Sequence, residues 1–374
     1  MNIRSNTVSF LRHMRFSSRR AFNRGLTLVE LLVAMAVSLL VVLAAVAALI
    51  ASRRGATTVD VAGQLRDNGR FATETIQRLA VQTGFEDMQY AVLPYMTTIG
   101  SYASANRVNN DAGGSGIEIT SLRPNLLGYN NAVPSRSDPL NVSQAHASGF
   151  AGRGSDTIIF QYQPVKGNPS DADGGVNADG SMIDCAGNAP VVSASDRNDR
   201  IASILYVGSD DQGEPSLMCM TKGTGGTYTS TPLIRGVESF QVLYGVDNVD
   251  ANAVPQGNVS TVPNGYLRAD QLTVSGDENA TYTNWRRVRS LRIGLVLRGP
   301  AGSAQETANQ TYYPLGSADY SGTGDPGAKL TVNDNRLRQV VTFTVLLRNC
   351  QNQGYQPEPS DPNNPIPCNV VLPS

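Results

Sequence analysis

The stretch RGLTLVELLVAMAVSLLVVLAAVAALIASRR, residues Arg24–Arg54, decides the fold. From Leu31 to Ser52 it carries no charged residue. At about 1.5 Å rise per residue, a helix of this length crosses a hydrocarbon core about 30 Å thick. One acid, Glu30, stands at the start of the apolar run, where a charge entering a membrane costs free energy. The stretch therefore predicts a transmembrane helix whose carboxylate needs a partner.

Charges on either side of the apolar run predict its orientation. Only Arg53 and Arg54 follow the run directly, whereas six arginines and no acid precede Glu30: Arg4, Arg12, Arg15, Arg19, Arg20 and Arg24. Because the more basic flank of a membrane helix stays in the cytoplasm, we expect an inner-membrane protein with a cytoplasmic N-terminus and a periplasmic C-terminal part.

The helix is predicted to continue beyond the membrane. No proline occurs between Met1 and Tyr90. Apolar residues recur at helical spacing, at Val59, Ala62, Leu65, Ala72, Ile76, Leu79 and Ala80. We predict one helix from about Leu26 to about Gln82, with Gly84 as its stop signal. Gly63 and Gly69 are expected to weaken it by about 1 kcal/mol each. A run this long, with no break after it, does not fit a cleaved secretory signal.

Beyond Gly84, glycine-rich loop signals separate short segments in which apolar residues alternate with polar ones. These segments predict strands of a half-buried antiparallel sheet: Asp156–Gln163, Ile201–Val207, Val237–Val246, Val288–Arg298 and Gln339–Arg348. In the last segment, Val341, Phe343 and Val345 share the face opposite Thr342 and Thr344. The predicted fold class is α+β, with a long N-terminal helix and a β-rich head.

The basic leader ending in Gly25, followed by LTLVELL, resembles the class III signal of type IV pilins and pseudopilins. The resemblance implies that a prepilin peptidase cuts between Gly25 and Leu26 and methylates the new amine. It also implies that Glu30 neutralises this amine, on its own or a neighbouring subunit, during assembly. Leu26 departs from the phenylalanine that many members carry. The alternative is an uncleaved anchor with a stray glutamate.

This resemblance predicts the domain organisation. Residues 1–25 are the leader, 26–52 the transmembrane half of the helix, 53–83 its periplasmic half, and 84–374 a β-rich globular head with long loops. Within that head, residues 87–154 are rich in Asn, Gly, Ser and Tyr, and we expect a variable surface insertion there.

Three strand segments narrow the resemblance. LIRGVESFQVLYGVD (Leu233–Asp247), WRRVRSLRIGLVLR (Trp285–Arg298) and NDNRLRQVVTFTVLLRN (Asn333–Asn349) resemble the C-terminal half of PilW-type minor pilins. This implies a pilin-like fold and a role in a priming or tip complex that supports pilus assembly, adhesion and twitching motility. The implied partners are other minor pilins, the major pilin, the prepilin peptidase, the inner-membrane assembly platform and a tip adhesin.

Two other functions remain as alternatives. PilW proteins are related to the J-type pseudopilin of type II secretion, which makes that machine the second candidate. A membrane-anchored hydrolase fits less well, because the only histidines are His13, in the leader, and His146, which we expect in an exposed loop. No nucleophile or cofactor motif accompanies them. We therefore predict neither an enzyme nor a cofactor.

Four cysteines, Cys185, Cys219, Cys350 and Cys368, lie beyond the membrane segment. An even count on the exported side predicts disulfides, and four cysteines allow three connectivities. We favour Cys185–Cys219 and Cys350–Cys368, because each closes a local loop. DCAGN followed by LMC also resembles the cysteine pair of the PilW family. The absence of a CxxC pair argues against zinc.

Two further segments carry weaker signals. DADGGVNADG, at positions 171–180, spaces four oxygen ligands as a weak calcium candidate: Asp171, Asp173, Asn177 and Asp179. It lacks the bidentate glutamate of an EF-hand, so a solvated turn is the simpler interpretation. Beside Trp285 stand Arg286, Arg287, Arg289 and Arg292, a pattern that can bind single-stranded nucleic acid. We expect instead the solvent side of a strand, and predict no nucleic-acid partner.

Overall fold

The structure is a computed structural model, which describes residues 27–86, 123–168, 170, 172, 174–194, 199–223, 226–256, 262–304, 307–316 and 324–348. For six short strands within residues 96–118 and 356–366, only the pairing is described. The chain divides into two compact units, Met1–Gly55 and Ala56–Ser374.

Helix α1 spans Leu28–Gln82. In the first unit, every residue from 27 to 54 is exposed. In the second unit, one face of the helix is buried, at Val61, Leu65, Gly69, Ala72, Thr75, Ile76, Leu79 and Ala80. The predicted end is confirmed, since Gly84 follows with φ of 77°, a left-handed conformation that favours glycine after a helix. Val59 was wrongly expected on the buried face; it is 68% exposed.

The strands are, in chain order, β1 Met96–Thr98, β2 Ser101–Tyr102, β3 Arg107–Val108, β4 Ile117–Glu118, β5 Leu126–Tyr129, β6 Thr157–Tyr162, β7 Ile201–Ser209, β8 Pro215–Lys222, β9 Tyr228–Arg235, β10 Val237–Val246, β11 Gly265–Leu267, β12 Val288–Arg298, β13 Ala308–Tyr312, β14 Leu330–Asp334, β15 Arg338–Leu346, β16 Gln356–Glu358 and β17 Asp361–Ile366. A 3₁₀ turn, Asp270–Leu272, and a second helix, α2 Glu278–Arg286, lie between β11 and β12.

Two larger antiparallel sheets dominate the second unit, beside four two-stranded sheets: β1-β2, β3-β4, β13-β14 and β16-β17. One is a five-stranded meander in the order β5-β6-β7-β8-β9, and the other has four strands in the order β11-β10-β12-β15. One large apolar cluster joins both sheets to the buried face of α1, and a small second cluster comprises Leu243, Leu315 and Ala328. The predicted α+β class is therefore confirmed, and residues 56–82 of the helix pack on the β-rich part.

The predicted strands are present, but their burial differs from the prediction. β10 and β12 have the predicted bounds, and the alternation in β15 is confirmed, because Val345 is buried while Thr342 and Thr344 are exposed. All residues of β6 and β10 are buried. The expected half-buried sheet is wrong for these strands, since the core, the helix or long connections cover both of their faces.

Part of the predicted surface insertion belongs to the core. Within residues 87–154, strand β5 pairs with β6, and Leu126 is fully buried. The polar composition around β5 concealed a four-residue strand, which is too short to show a clear alternation. Residues 87–95 and most of the segment up to 122 lie outside the described residues.

Candidate functional site

Thr27 and Glu30 form a reciprocal cap at the start of α1. The Thr27 backbone N–H and hydroxyl donate to Glu30 Oε2 at 3.0 and 3.1 Å, and the Glu30 N–H donates to Thr27 Oγ1 at 3.3 Å. This is the capping-box pattern, which satisfies otherwise unpaired N–H groups at a helix start. Within the described residues Glu30 Oε1 has no partner, so the carboxylate is oriented and can still accept one. The predicted processing residues Gly25 and Leu26 lie outside the described residues.

An apolar surface follows directly after this cap. Large side chains along the first half of α1 are exposed, for example Leu39 at 70% and Leu43 at 66%. Within the described part of the chain, α1 is the one helix long and apolar enough to cross a membrane. The Ser38 hydroxyl donates to the Ala34 carbonyl at 2.7 Å, so its polar group is satisfied within the helix. Such a surface requires lipid or the apolar faces of other helices around it.

The disulfide Cys185–Cys219 is present, as the sequence predicted, with a Cα–Cα distance of 5.8 Å. The DCAGN turn presents Cys185 because Asp184 Oδ1 accepts from the backbone N–H groups of Ala186 and Asn188, both at 2.9 Å. The Cys185 N–H donates to Ser203 Oγ at 3.0 Å. The bond thereby fastens the connection between β6 and β7 to β8. Cys350 and Cys368 lie outside the described residues, and their bridge stays a prediction.

Only half of the weak calcium candidate can be placed. Asp171 and Asp173 lie outside the described residues, and Asn177 forms a β-bridge with Val192. Asp179 Oδ1 accepts from the Ser181 N–H at 2.9 Å and from the Ser181 hydroxyl at 2.7 Å. No group of three or more metal-ligating side chains occurs in the part of the chain that the structure describes.

The arginines beside Trp285 do not form a solvent-exposed face, which corrects the sequence prediction. Arg286 and Arg287 are each 1% exposed. Arg287 Nη1 donates to the Gln256 carbonyl at 2.8 Å, and Arg289 Nη1 donates to the Arg286 carbonyl at 2.9 Å. Burial lowers the pKa of Arg286 to about 10, so the group still carries its charge at neutral pH. Helix α2 ends here, and Arg287 satisfies a loop carbonyl while Arg289 satisfies the last carbonyl of α2.

His146 is also buried rather than exposed. Its Nε2 donates to the Val207 carbonyl at 2.9 Å, and its ring stacks on Phe150 with centroids 5.3 Å apart. Burial lowers the pKa of His146, which favours the neutral ring. The residue ties a long connection to strand β7, and sequence alone offered no periodic signal for this contact.

An ionic network, which sequence reasoning missed, joins the two sheets around the buried pair of Arg338 and Glu238. Arg338 Nε lies 2.6 Å from Glu238 Oε2, and Arg298 Nη1 lies 3.0 Å from Glu238 Oε1. The Arg298 Nε donates to Glu214 Oε2 at 3.1 Å, and Arg336 Nη1 lies 3.0 Å from Glu214 Oε1. Glu214 precedes β8 in the five-stranded sheet, whereas Glu238, Arg298 and Arg338 belong to the four-stranded sheet. The network therefore fixes one sheet against the other.

Asp334 completes this network. Arg338 Nη1 lies 2.6 Å from Asp334 Oδ1, and its hydrogen bonds lower the pKa of Asp334 to about 2. Burial raises the pKa of Glu214, but the hydrogen bonds from Arg298 and Arg336 outweigh this and hold it below its usual value. Side-chain exposure of Arg338 and Glu238 is 1% and 5%. The arrangement holds its charges in compensated pairs.

Two protein-family models match the chain. The model described as Type IV Pilus-assembly protein W matches residues 204–349, from strand β7 to just beyond β15. The model of the prokaryotic N-terminal methylation motif matches residues 20–46, which include Gly25, Leu26 and Glu30. The two matches support a type IV pilus minor pilin of the PilW family. It takes part in type IV pilus assembly.

A solved structure, a type IV-like pilin from Thermus thermophilus, is similar to this PilW protein at 16% sequence identity. The match covers 53% of this chain and 80% of that chain, with a TM-score of 0.26. No curated protein matches the sequence. A match to pilin families implies interaction with other pilus components and association with a membrane, and these families are structural rather than enzymatic.

Proposed function

We propose that this PilW protein acts in the complex of minor pilins that primes or caps the filament. One observation carries the proposal: a carboxylate is oriented at the start of a helix whose first half is apolar and exposed. Such a helix requires lipid before assembly and the apolar faces of neighbouring helices afterwards. The proposed partners are other minor pilins, the major pilin, the inner-membrane assembly platform and a tip adhesin.

Processing by the prepilin peptidase is part of the proposal. Residues 1–25 would be removed, and the methylated amine of Leu26 would begin the mature chain. The match to the methylation motif, residues 20–46, and the six arginines before Glu30 support this order and a periplasmic head. Residues 26–52 would then span the membrane, 53–83 would continue the helix in the periplasm, and 84–374 would form the head.

Glu30 would be the docking charge. A buried amine and a buried carboxylate each cost free energy alone, and pairing offsets much of that cost. The cap from Thr27 leaves Oε1 open, so Glu30 can hold its orientation and still accept the Leu26 amine of a neighbouring subunit. The carboxylate is tolerated in the membrane because assembly supplies its partner.

The test uses strains in which the only copy carries Glu30→Ala or Glu30→Gln. We expect cleavage and membrane insertion to persist, while recovery of other pilins with the tagged protein and the number of sheared surface pili fall. Breaking a buried ion pair costs about 3–5 kcal/mol, which is large beside repeated weak helix contacts. Thr27→Val is the matched control, because it loses only the hydroxyl contacts of the cap, worth about 1 kcal/mol, and keeps the Thr27 N–H bond to Glu30.

Intact mass of the membrane form checks the processing step. The mature chain should begin at Leu26 with a methylated amine, and Gly25→Val should block the cut. A mature chain that retains the arginine-rich leader would contradict this step. Normal association and piliation in both Glu30 variants would show that Glu30 is not the docking charge, and loss of secretion with normal pili would favour the pseudopilin function instead.

A further inference from the structure

Strand β15 has an open edge in the described part of the chain. It is the last strand of its sheet, and its nine pairs with β12 run without a register shift. The Leu347 N–H donates to the Arg289 carbonyl at 2.9 Å, and the Leu337 carbonyl accepts from the Gly299 N–H at 2.8 Å. Odd-numbered residues of β15 therefore use their backbone groups on β12. The backbone N–H and C=O groups of the even-numbered residues point to the open edge: Val340, Thr342, Thr344 and Leu346.

This edge lacks the features that usually prevent strand addition. Between Arg338 and Arg348 there is no charged residue and no proline, and β-branched residues dominate. The other edges differ. Strand β9 contains Pro232 and a register shift opposite Leu217 and Met218, while β5 and β11 have four and three residues. Among the edges of the two large sheets, β15 offers the longest straight ladder.

A groove of about 350 Å³ runs beside this edge. Helix α1 and β15 line it with Arg66, Gly69, Arg70, Thr73, Glu74, Gln339 and Val341. Arg66 Nε donates to the Ala62 carbonyl at 3.3 Å. Neither Arg66 nor Arg70 forms an ion pair with a described residue. A strand lying here would place small apolar side chains over Gly69 and Val341, and a carboxylate between the two arginines.

We propose that β15 accepts an extended strand from another pilin of the same filament, and that this strand carries a carboxylate that faces Arg66 and Arg70. The inference rests on the proposed function, in which the chain assembles with other pilins. The donor of this strand is a different pilin, because strand β15 of a second copy would bring Arg338 and Arg348 but no acid. Strands β16 and β17, for which only the pairing is described, pair with each other in a two-stranded sheet of their own.

Photocross-linking in cells tests the partner and the geometry together. A benzophenone amino acid replaces Val340 or Thr344 in the full-length chain, and mass spectrometry maps the attachment points. We expect both probes to reach one extended segment of another protein with a prepilin N-terminus, at positions about four residues apart, as strand pairing requires. Attachment to residues 349–374 of the same chain, to a second copy, or to scattered sites would overturn the proposal.

Two variants test the ladder and the charge separately. Thr344→Pro removes an outward N–H while the bonds to β12 remain, and should lower the cross-link yield from position 340 about tenfold, as expected for one backbone hydrogen bond and its register. In the control variant Thr344→Val, the cross-link yield from position 340 should stay within about twofold of the wild-type yield. Arg70→Glu, on the exposed face of α1, should also lower the yield, whereas Arg70→Lys should retain it.

Different experimental outcomes would overturn strand addition at β15 and the docking role of Glu30. Unchanged yields in both Thr344→Pro and Arg70→Glu would overturn strand addition, even if the Glu30 variants lose assembly. Cross-links that persist in Glu30 variants with normal pili would leave strand addition intact while overturning the docking role of Glu30.

Discussion

Gly69 of helix α1 lies against Val341 of strand β15 so closely that a β-carbon at position 69 would meet Val341 Cγ2 at 2.8 Å. At Gly63, on the same helix, an added β-carbon would have no atom within 4 Å. Sequence reasoning treated both glycines as weak points of the helix. Gly63 is a weak point of the helix. Gly69 has a packing role instead, because it permits the helix to approach the sheet.

Substitutions at these two glycines should therefore have opposite effects. Gly63→Ala should raise the free energy of unfolding by about 0.5–1 kcal/mol through helix propensity. Gly69→Leu should lower it by about 1–3 kcal/mol, because the larger side chain must displace Val341. Urea unfolding of the full-length protein in detergent measures both. A Gly69→Leu protein as stable as the wild type would contradict the close packing.

Removal of the disulfide should destabilise the head. The bridge joins residues 34 positions apart, and the chain-entropy model gives about 3–4 kcal/mol for a loop of this size. The double variant Cys185→Ser with Cys219→Ser avoids a reactive free thiol. We expect a lower midpoint in urea than in the wild type under oxidising conditions, with Cys350→Ser and Cys368→Ser as the paired control. A double variant with an unchanged midpoint would show that the bridge contributes nothing to stability.

The ionic network should be sensitive to the loss of a single member. Arg338→Met leaves Glu238 buried without its closest partner, and should cost about 3–5 kcal/mol. Adding Glu238→Leu should recover part of that loss, since the uncompensated carboxylate is then gone. A double-mutant cycle measured by urea unfolding gives the coupling. If both single costs simply added, the pair would not be energetically coupled.

Asp156 should make stability depend on pH in an unusual direction. Its two oxygens each accept a backbone N–H, from Asn131 and from Val242, both at 2.9 Å, and burial raises its pKa well above the usual value. The folded state therefore binds the proton more tightly than the unfolded state. Its contribution is fully present below the unfolded pKa of about 3.9 and is lost as pH rises through the folded pKa.

Comparison with Asp156→Asn isolates this effect. The amide removes the titration and directs an N–H₂ group at a backbone N–H, so it should destabilise most at low pH and least at high pH. The carboxylates near Arg336 and Arg338 act in the opposite sense, because their lowered pKa values make stability fall only as pH drops from about 4 towards 2. Unfolding measured between pH 5 and 9 excludes them. A difference between wild type and variant that does not change over this range would contradict the prediction.

Sequence periodicity predicted the helices and strands that bury a regular series of apolar side chains. The helical spacing from Leu65 to Ala80 and the strands β10 and β12 could be predicted because their apolar residues repeat without interruption. Strands β8 and β9 were missed, since PSLMCMTK depends on methionine and cysteine and TSTPLIR contains Pro232. Neither segment alternates in the way that a half-buried strand does.

Burial of charge could not be predicted, because it depends on residues far apart in the chain. Glu214, Glu238, Arg298 and Arg338 come together only through the pairing of β10, β12 and β15 and the turn before β8. Likewise, Arg286 and Arg287 are buried at the C-terminal end of α2, whereas the local pattern resembled a basic surface. At the start of α1, by contrast, Thr27 and Glu30 lie three residues apart, so their capping contact could have been predicted from sequence. From sequence, Glu30 was considered only for its role in docking.

The bond between Cys185 and Cys219 also makes the position of β7 independent of the segment that precedes Cys185. The connection from β6 enters at Gln163 and is held at Cys185, so the residues between these points do not have to position β7. Changes of length in that segment should leave both sheets in register, which gives evolution a place to vary the exterior of the pilin. For the experimenter, the segment between Gln163 and Cys185 offers an internal position for an epitope tag.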